Sequence, residues 1–208
     1  MIQIENMLKS FGDRVLFNNF NLEINDGEFI ILSGNSGSGK TTLMNIIGGL
    51  EAYDNGNILV DGIDLKKVRN NVDFYKSHIG FLFQNFGLIE NKSVEKNLDI
   101  VKKSALSGIS HKEALKMVGL EGYEKKYVYT LSGGEQQRVA IARLIIKKCN
   151  IILADEPTCS LDKKNTEGIV KILMQLNKNE GKTIIMATHD ETLKNIGNRL
   201  ISIDDTVS

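Results

Sequence analysis

The chain has 208 residues, which suits a single domain with its own hydrophobic core and leaves room for an inserted subdomain. Its 26 basic and 26 acidic residues balance, so no basic field indicates nucleic acid, and we expect no nucleic-acid partner. MIQIENMLKS lacks the order of a signal peptide, and no apolar run approaches the roughly 18 residues of a membrane-spanning helix. Cys149 and Cys159 match no metal spacing and favour a reducing, cytoplasmic location over a disulfide scaffold.

The first quarter of the chain alternates apolar and polar residues. The pattern in IQIENML (2–8) and FNLEI (20–24) is that of half-exposed strands and predicts an antiparallel edge sheet. The run EFIILSG (28–34) is nearly continuous and ends at a glycine, which is typical of a strand buried on both faces of a parallel sheet. Similar runs occur at IGFLFQ (79–84), NIILADE (150–156) and KTIIMATHD (182–190).

A glycine-rich loop, GNSGSGKT (34–41), follows the strand FIILS and precedes the helical pattern KTTLMNIIGGL (40–50). It matches G-x-x-x-x-G-K-[ST], in which backbone N–H groups and the helix start surround phosphates. Lys40 should reach the β- and γ-phosphates of ATP, and the Thr41 hydroxyl should ligate Mg²⁺. The alternative is a plain surface turn. The residues assigned to ATP in this segment are Asn35, Ser36, Gly37, Ser38, Gly39, Lys40, Thr41 and Thr42.

Polar residues end the other buried runs. Because ligands bind at the carboxyl ends of parallel strands, we expect Gln84, Asp155, Glu156 and His189 to converge at one edge of the sheet. Asp155 is placed to hold Mg²⁺, and Glu156 to deprotonate the attacking water. Gln84 is assigned to the metal or to that water, and His189 to catalysis. The alternatives are a pair of acids that only cap a strand and a strand-end histidine with a structural role.

Between roughly Asn85 and Lys148 helical patterns replace strands, notably SVEKNLDIVKKSAL (93–106) and HKEALKMVGL (111–120). We predict one domain, with a core at 1–84 and 149–208 and an inserted helical subdomain at 85–148. Within it, Ser132 and Glu135 form an S-x-x-E capping box, so a helix should begin at Gly133. That could be an ordinary helix start. Its two glycines, however, would leave the helix N-terminus open to an anion.

The motifs GNSGSGKT, Gln84, LSGGEQQR, ILADEPT, SLD and THD stand in the order found in the ATP-binding subunits of ABC transporters. The resemblance covers essentially the whole chain. It implies an α/β P-loop NTPase fold with a mainly parallel core sheet, an antiparallel β edge subdomain and an inserted α-helical subdomain. It also implies a Mg²⁺-dependent ATPase. In this family the loop formed here by Ser132, Gly133 and Gly134 contacts the γ-phosphate of ATP held by the partner, in a head-to-tail homodimer.

Other positions follow from the same resemblance. Phe11 falls where the family has an aromatic residue that stacks on adenine, although it could be a core phenylalanine. Asp162 matches the loop that couples the two sites across the dimer. Cys159 departs from the usual small or polar residues of its neighbourhood, without an evident consequence. The carboxyl-terminal DDTVS (204–208) also departs from the family pattern and leaves the boundary of the last strand open.

The stretch FLFQNFGLIENKSVEKNL (81–98) is similar to the group that serves lipoprotein release, macrolide export and bacteriocin or peptide export, and to a cell-division regulator. Within that group KSFGDRVLFNNFNLEINDGEF (9–29) is closest to bacteriocin-export ATPases. The resemblance implies a peripheral protein at the inner face of the membrane, with a separate permease docking near 85–90. The alternative is a soluble ABC ATPase that switches conformation on nucleic acid or the ribosome. The sequence does not identify the cargo, whose contact surface belongs to the permease.

Overall fold

The structure, a computed structural model, describes residues 1–68, 72–159 and 161–203. An antiparallel sheet contains strands β1 (Ile2–Phe11), β2 (Arg14–Ile24), β4 (Asn55–Val60) and β5 (Ile63–Asp64), in the order β2-β1-β4-β5. This arrangement confirms the predicted antiparallel sheet. The DDTVS segment and Ser160 of the SLD sequence lie outside the described residues.

A second sheet forms the core and has the order β6-β7-β8-β3-β9, with every neighbouring pair parallel. Its strands are β3 (Phe29–Ser33), β6 (Ile79–Leu82), β7 (Ile151–Asp155), β8 (Thr183–Ala187) and β9 (Arg199–Ser202). Four of these strands lie inside the runs that the sequence marked as buried. The parallel arrangement directs the carboxyl ends of all these strands to one edge of the sheet, where the sequence predicts the site residues.

Successive residues along the parallel strands pack alternately into two separate hydrophobic clusters. In β3, Phe29 and Ile31 face the cluster shared with the helical segments, whereas Ile30 and Leu32 face the one shared with the antiparallel sheet. All four side chains are at most 2% exposed. A strand buried on both faces needs apolar residues without alternation, which explains the continuous run FIILS.

Helices cover both faces of the parallel sheet. They are α1 (Lys40–Ile47), α2 (Val72–Ser77), α3 (Val94–Leu98), α4 (His111–Met117), α5 (Gly133–Ile145) and α6 (Lys163–Glu180), with short 3₁₀ turns at Leu65–Lys67, Lys103–Ala105, Val128–Thr130 and Glu191–Leu193. In the described parts of the chain, no helix combines the length and apolar character needed to cross a membrane. The predicted fold class is confirmed.

The helical pattern at 93–106 was predicted too long. Only α3 and the 3₁₀ turn Lys103–Ala105 form there, and α3 ends at Leu98. Asp99 follows at the helix C-terminus, where a carboxylate opposes the helix dipole, and the β-branched Ile100 and Val101 disfavour further helical turns. The β6 strand is also shorter than its run, so Gln84 lies in the loop after it.

Candidate nucleotide site

One cleft at the carboxyl edge of the parallel sheet collects most of the predicted site. It has a volume of about 480 Å³. The lining residues are Phe11, Arg14, Leu16, Ser36, Gly37, Gly39, Lys40, Thr41, Thr42, Gln84, Asp155, Glu156 and His189. The structure thus brings Gln84, Asp155, Glu156 and His189 together, as expected for residues at or just after the carboxyl ends of neighbouring parallel strands.

The glycine loop folds around the side chain of Lys40. The ammonium of this buried lysine donates hydrogen bonds to the carbonyl oxygens of Gly34, at 2.7 Å, and Asn35, at 2.9 Å. Gly39 has a φ of 108°, and a Cβ there would lie 2.8 Å from the Phe17 ring, so only glycine fits. Within the described residues the buried Ser38 hydroxyl has no hydrogen-bond partner. A loop with a central cation and an unsatisfied hydroxyl fits an anionic phosphate chain.

Two of the three predicted magnesium ligands, Thr41 and Asp155, are in direct contact. The Thr41 hydroxyl donates to an Asp155 carboxylate oxygen at 2.8 Å. Burial raises the pKa of Asp155, with a further increase from the Glu156 charge, while the Thr41 hydrogen bond and Lys40 lower it. Among the described residues, no cluster of three or more His, Cys, Asp or Glu side chains could hold a metal alone. One carboxylate and one hydroxyl suit Mg²⁺, which completes its octahedral shell with phosphate and water oxygens.

Glu156 and His189 form a pair within the cleft. The Glu156 carboxylate lies 2.9 Å from His189 Nδ1, and its side chain is only 15% exposed. The backbone of Glu156 has a φ of 45°, unusual for a residue other than glycine, and its N–H donates to the Ala187 carbonyl at the end of β8. Backbone strain of this kind, held by a neighbouring strand, fixes the direction of a side chain. The Gln84 amide nitrogen lies 3.8 Å from the Cys159 sulfur, at the border of the same region.

The predicted adenine platform is an exposed ring. Phe11 is 51% exposed, so the alternative of a core phenylalanine is wrong, and the Lys9 ammonium lies 4.2 Å from its ring centroid. Arg14, which the sequence reasoning missed, also lines the cleft and donates to the Gly37 carbonyl at 2.9 Å. The sequence does place this cation opposite Phe11 across the turn between β1 and β2, and that position could have predicted its presence in the cleft. Arg14 adds positive charge beside the phosphate loop.

The second glycine loop lies outside this cleft. Helix α5 begins at Gly133, as predicted, and both hydrogen bonds of the capping box between Ser132 and Glu135 are present. The hydrogen bond from the Ser132 N–H lowers the pKa of Glu135, with a smaller effect from the Ser132 hydroxyl. Ser132 and Gly133 are exposed, and a Cβ on Gly133 would meet no described atom within 4 Å. Nothing in the described chain therefore requires a glycine at position 133.

The neighbouring glycine has a different explanation. Gly134 is buried, and a Cβ there would lie 2.8 to 3.0 Å from the side-chain amide atoms of Asn165. Asn165 belongs to the first turn of α6, whose N-cap is Asp162. The hydrogen bond from the Asn165 N–H is the main cause of a lowered pKa for Asp162, which lies outside the cleft. The sequence reasoning did not foresee this capping role.

The model of the protein family described as ABC transporter matches residues 17–159, more than half of the chain. The chain belongs to the ABC transporter family. Among relatives of this ABC protein, it is 38% identical to the uncharacterized ABC transporter ATP-binding protein MJ0796 of Methanocaldococcus jannaschii, covering 99% of this chain and 94% of that protein. It is 39% identical to the methionine import ATP-binding protein MetN of Clostridium tetani, covering 98% of this chain and 66% of that protein.

A third relative is the macrolide export ATP-binding/permease protein MacB of Mannheimia succiniciproducens, 38% identical over 99% of this chain and 33% of that protein. A solved dimer of the ATP-binding cassette MJ0796 in a post-hydrolysis state with ADP and Pi has a TM-score of 0.85 and 37% identity, covering 97% of this chain and 94% of that one. The ABC protein has the activity of its family, the hydrolysis of ATP, with ATP and Mg²⁺ as its cofactors.

Proposed function

We propose that this ABC protein is the ATPase subunit of a membrane export complex and works as a head-to-tail homodimer with ATP between the two chains. The supporting observation is the position of the second glycine loop. Ser132 and Gly133 are exposed and lie outside the cleft of their own chain, and a Cβ on Gly133 would meet no described atom within 4 Å. A helix N-terminus of this kind suits the phosphate of a nucleotide held by another chain.

In this mechanism each chain prepares its own nucleotide for attack. Lys40 and the loop amides bind the phosphates. Thr41 and Asp155 would hold Mg²⁺, which when bound would supply positive charge to the phosphate oxygens. Glu156 accepts the proton of the attacking water. His189, whose Nδ1 lies 2.9 Å from the Glu156 carboxylate, orients that carboxylate. Gln84 lies at the same edge and positions that water. Phe11 stacks on adenine, and Asp162 couples the two sites.

The pair of adjacent glycines gives a direct test. Gly133→Ala should leave the free energy of unfolding unchanged or raise it by up to about 1 kcal/mol, because alanine favours helices. It should nevertheless weaken ATP-dependent dimerisation by at least tenfold, about 1.4 kcal/mol, because the added methyl group would occupy the space proposed for the phosphate of the partner's ATP. Gly134→Ala should instead lower stability by about 1–3 kcal/mol, because Asn165 must move.

Denaturant unfolding and sedimentation in ATP would measure both effects. The Glu156→Gln protein provides the background, since hydrolysis would otherwise consume the ATP. A Gly133→Ala protein that folds and still dimerises like its parent would exclude a partner's phosphate at this loop. The Gly134→Ala protein is the matched control for a methyl group added one position along.

The membrane partner in this proposal is a separate permease subunit that docks near 85–90, and the protein reaches the inner face of the membrane through it. Of the three apolar residues after Gln84, Phe86 and Leu88 pack partly buried against the core, whereas Ile89 is 45% exposed. The backbone of Ile89 is held by the side chain of buried Asn97, which bonds its N–H at 2.7 Å and its carbonyl at 3.0 Å. An apolar side chain is therefore presented to solvent on a fixed backbone.

Ile89→Glu should preserve the fold and the basal ATPase rate but reduce stimulation by the co-purified membrane subunit at least tenfold, because a charge would enter an apolar contact. Leu88→Glu, on the packed neighbour, should lower both activities through loss of stability. The measurement is ATP hydrolysis with and without the membrane subunit in detergent. Equal loss of both rates in Ile89→Glu would identify Ile89 as a packing residue and not a docking one.

The transported substrate in this proposal is a peptide, bacteriocin, antibiotic or lipoprotein. The relatives include a macrolide export protein at 38% identity and a methionine import protein at 39%, so the proposed export direction rests on the resemblance of residues 81–98 to the export group. The alternatives are a soluble ABC ATPase acting on nucleic acid or the ribosome, and a cell-division regulator. The net charge of zero gives no support to a nucleic-acid role.

A further inference from the structure

The side chain of Asn165 lies between two functional segments of the same chain. Its amide nitrogen donates to an Asp162 carboxylate oxygen at 2.7 Å, and its amide oxygen accepts a hydrogen bond from the guanidinium of Arg138. Asp162 ends the short segment that begins at Glu156, and Arg138 lies in the second turn of α5. Both polar atoms of one amide are thus used to join the two segments.

Packing adds to these hydrogen bonds. The amide of Asn165 lies against the backbone of Gly134, so close that a methyl group on Gly134 would lie 2.8 Å from it. The backbone N–H of Asn165 also donates to Asp162 at 2.8 Å, which fixes the residue in the first turn of α6. The start of α5 therefore cannot shift relative to the start of α6 without breaking contacts of this one side chain.

Two backbone hydrogen bonds join described residues of the stretch from Glu156 to Asp162. The Cys159 N–H donates to the Glu156 carbonyl at 3.1 Å, and the Leu161 N–H donates to the Thr158 carbonyl at 3.2 Å. Glu156 lines the chain's own cleft, and Asp162, the N-cap of α6, follows it closely in the chain. Among the described residues, Asn165 is the one whose side chain bonds both to Asp162 and to helix α5.

We propose that Asn165 is a positioning residue that links a chain's own ATP site to the glycine loop serving its partner's ATP. This inference rests on the proposed homodimer. The two ATP sites of the dimer then depend on each other, because each chain contributes the cleft of one site and the glycine loop of the other, joined through Asn165. Removal of the link should reduce this dependence without changing the contacts of a single ATP.

The test compares Asn165→Ala with Asn165→Asp in ATP hydrolysis. Asn165→Ala removes both links. Asn165→Asp keeps an acceptor for Arg138 but replaces the donor to Asp162 with a second carboxylate. For both variants we expect a Hill coefficient for ATP that falls from above one to about one, and a maximal rate about tenfold lower. ATP binding to the monomer should stay within about twofold of the parent, since Asn165 does not line the cleft.

Glu167→Gln is the matched control, since Glu167 is an exposed residue of the same helix. It should keep the Hill coefficient of the parent. Variants that lose thermal stability but keep the parent's Hill coefficient would reduce Asn165 to a packing residue and overturn the proposal. So would a cooperative Asn165→Asp protein, or a parent that hydrolyses ATP without cooperativity.

Failure of the proposed function would look different. In that case the Glu156→Gln parent would not dimerise in ATP at all, and the linkage through Asn165 would fall with it. A parent that dimerises normally while Asn165→Ala retains full cooperativity would leave the proposed function intact and remove only the role of Asn165.

Discussion

A mixture of Lys40→Ala and Ser132→Arg chains should form ATP-dependent dimers that neither variant forms alone. Lys40→Ala removes the central cation of the phosphate loop. Ser132→Arg places a long side chain at the exposed start of α5, where the phosphate of the partner's ATP is proposed to bind. In a mixed head-to-tail dimer one site collects both lesions, while the other combines the intact loop of the Ser132→Arg chain with the intact seat of the Lys40→Ala chain. One complete site is therefore restored.

The measurement uses differently labelled chains that also carry Glu156→Gln, so that ATP persists. We expect heterodimers to associate at least tenfold more tightly in ATP than either homodimer, about 1.4 kcal/mol. If the second glycine loop acted on the nucleotide of its own chain, every site in the mixture would keep one lesion. Two well-folded variants that show no gain on mixing would refute the cross-chain role of Ser132, Gly133 and Gly134.

Glu156→Gln by itself should lower the ATPase rate by about 10²–10⁴-fold, because the amide cannot accept the proton of the attacking water. The amide is nearly the same size as the carboxylate, so the contacts to ATP should remain. Hydrolysis would then no longer remove the ATP that holds two chains together, and dimers should accumulate by mass action. Sedimentation with and without ATP measures this change directly.

Glu191→Gln is the control for the loss of one negative charge, because the Glu191 side chain is 78% exposed and forms an ion pair with Lys194. It should hydrolyse ATP at the parent's rate and stay monomeric. A Glu156→Gln protein that binds ATP and remains monomeric over a wide range of concentrations would count against ATP between two chains. An unchanged rate in Glu156→Gln would remove its assignment as the base.

The sequence predicted those parts of the molecule that depend on local pattern. The continuous run FIILS, the G-x-x-x-x-G-K-T spacing and the box between Ser132 and Glu135 each constrain a few neighbouring residues, and their strand, loop and helix start are found as expected. The convergence of Gln84 and His189 on one cleft also followed, because parallel strands align their carboxyl ends.

Contacts between segments distant in the chain could not be predicted in the same way. Nothing in the local pattern shows that Asn165 lies against Gly134, or that Arg14 bonds the carbonyl of Gly37. The early end of α3 at Leu98, by contrast, agrees with local features that apolar periodicity does not weigh, namely the carboxylate of Asp99 at the helix C-terminus and the β-branched Ile100 and Val101.

The ammonium of Lys40 bonds its own loop together, through the carbonyl oxygens of Gly34 and Asn35. An ordered loop loses little conformational entropy when ATP enters, so more of the binding free energy is available to bring two chains together. Lys40 thus orders the loop through hydrogen bonds in addition to supplying positive charge for the phosphates. A Lys40→Ala chain should consequently show faster amide hydrogen exchange at Ser36 and Gly37 even in the absence of nucleotide.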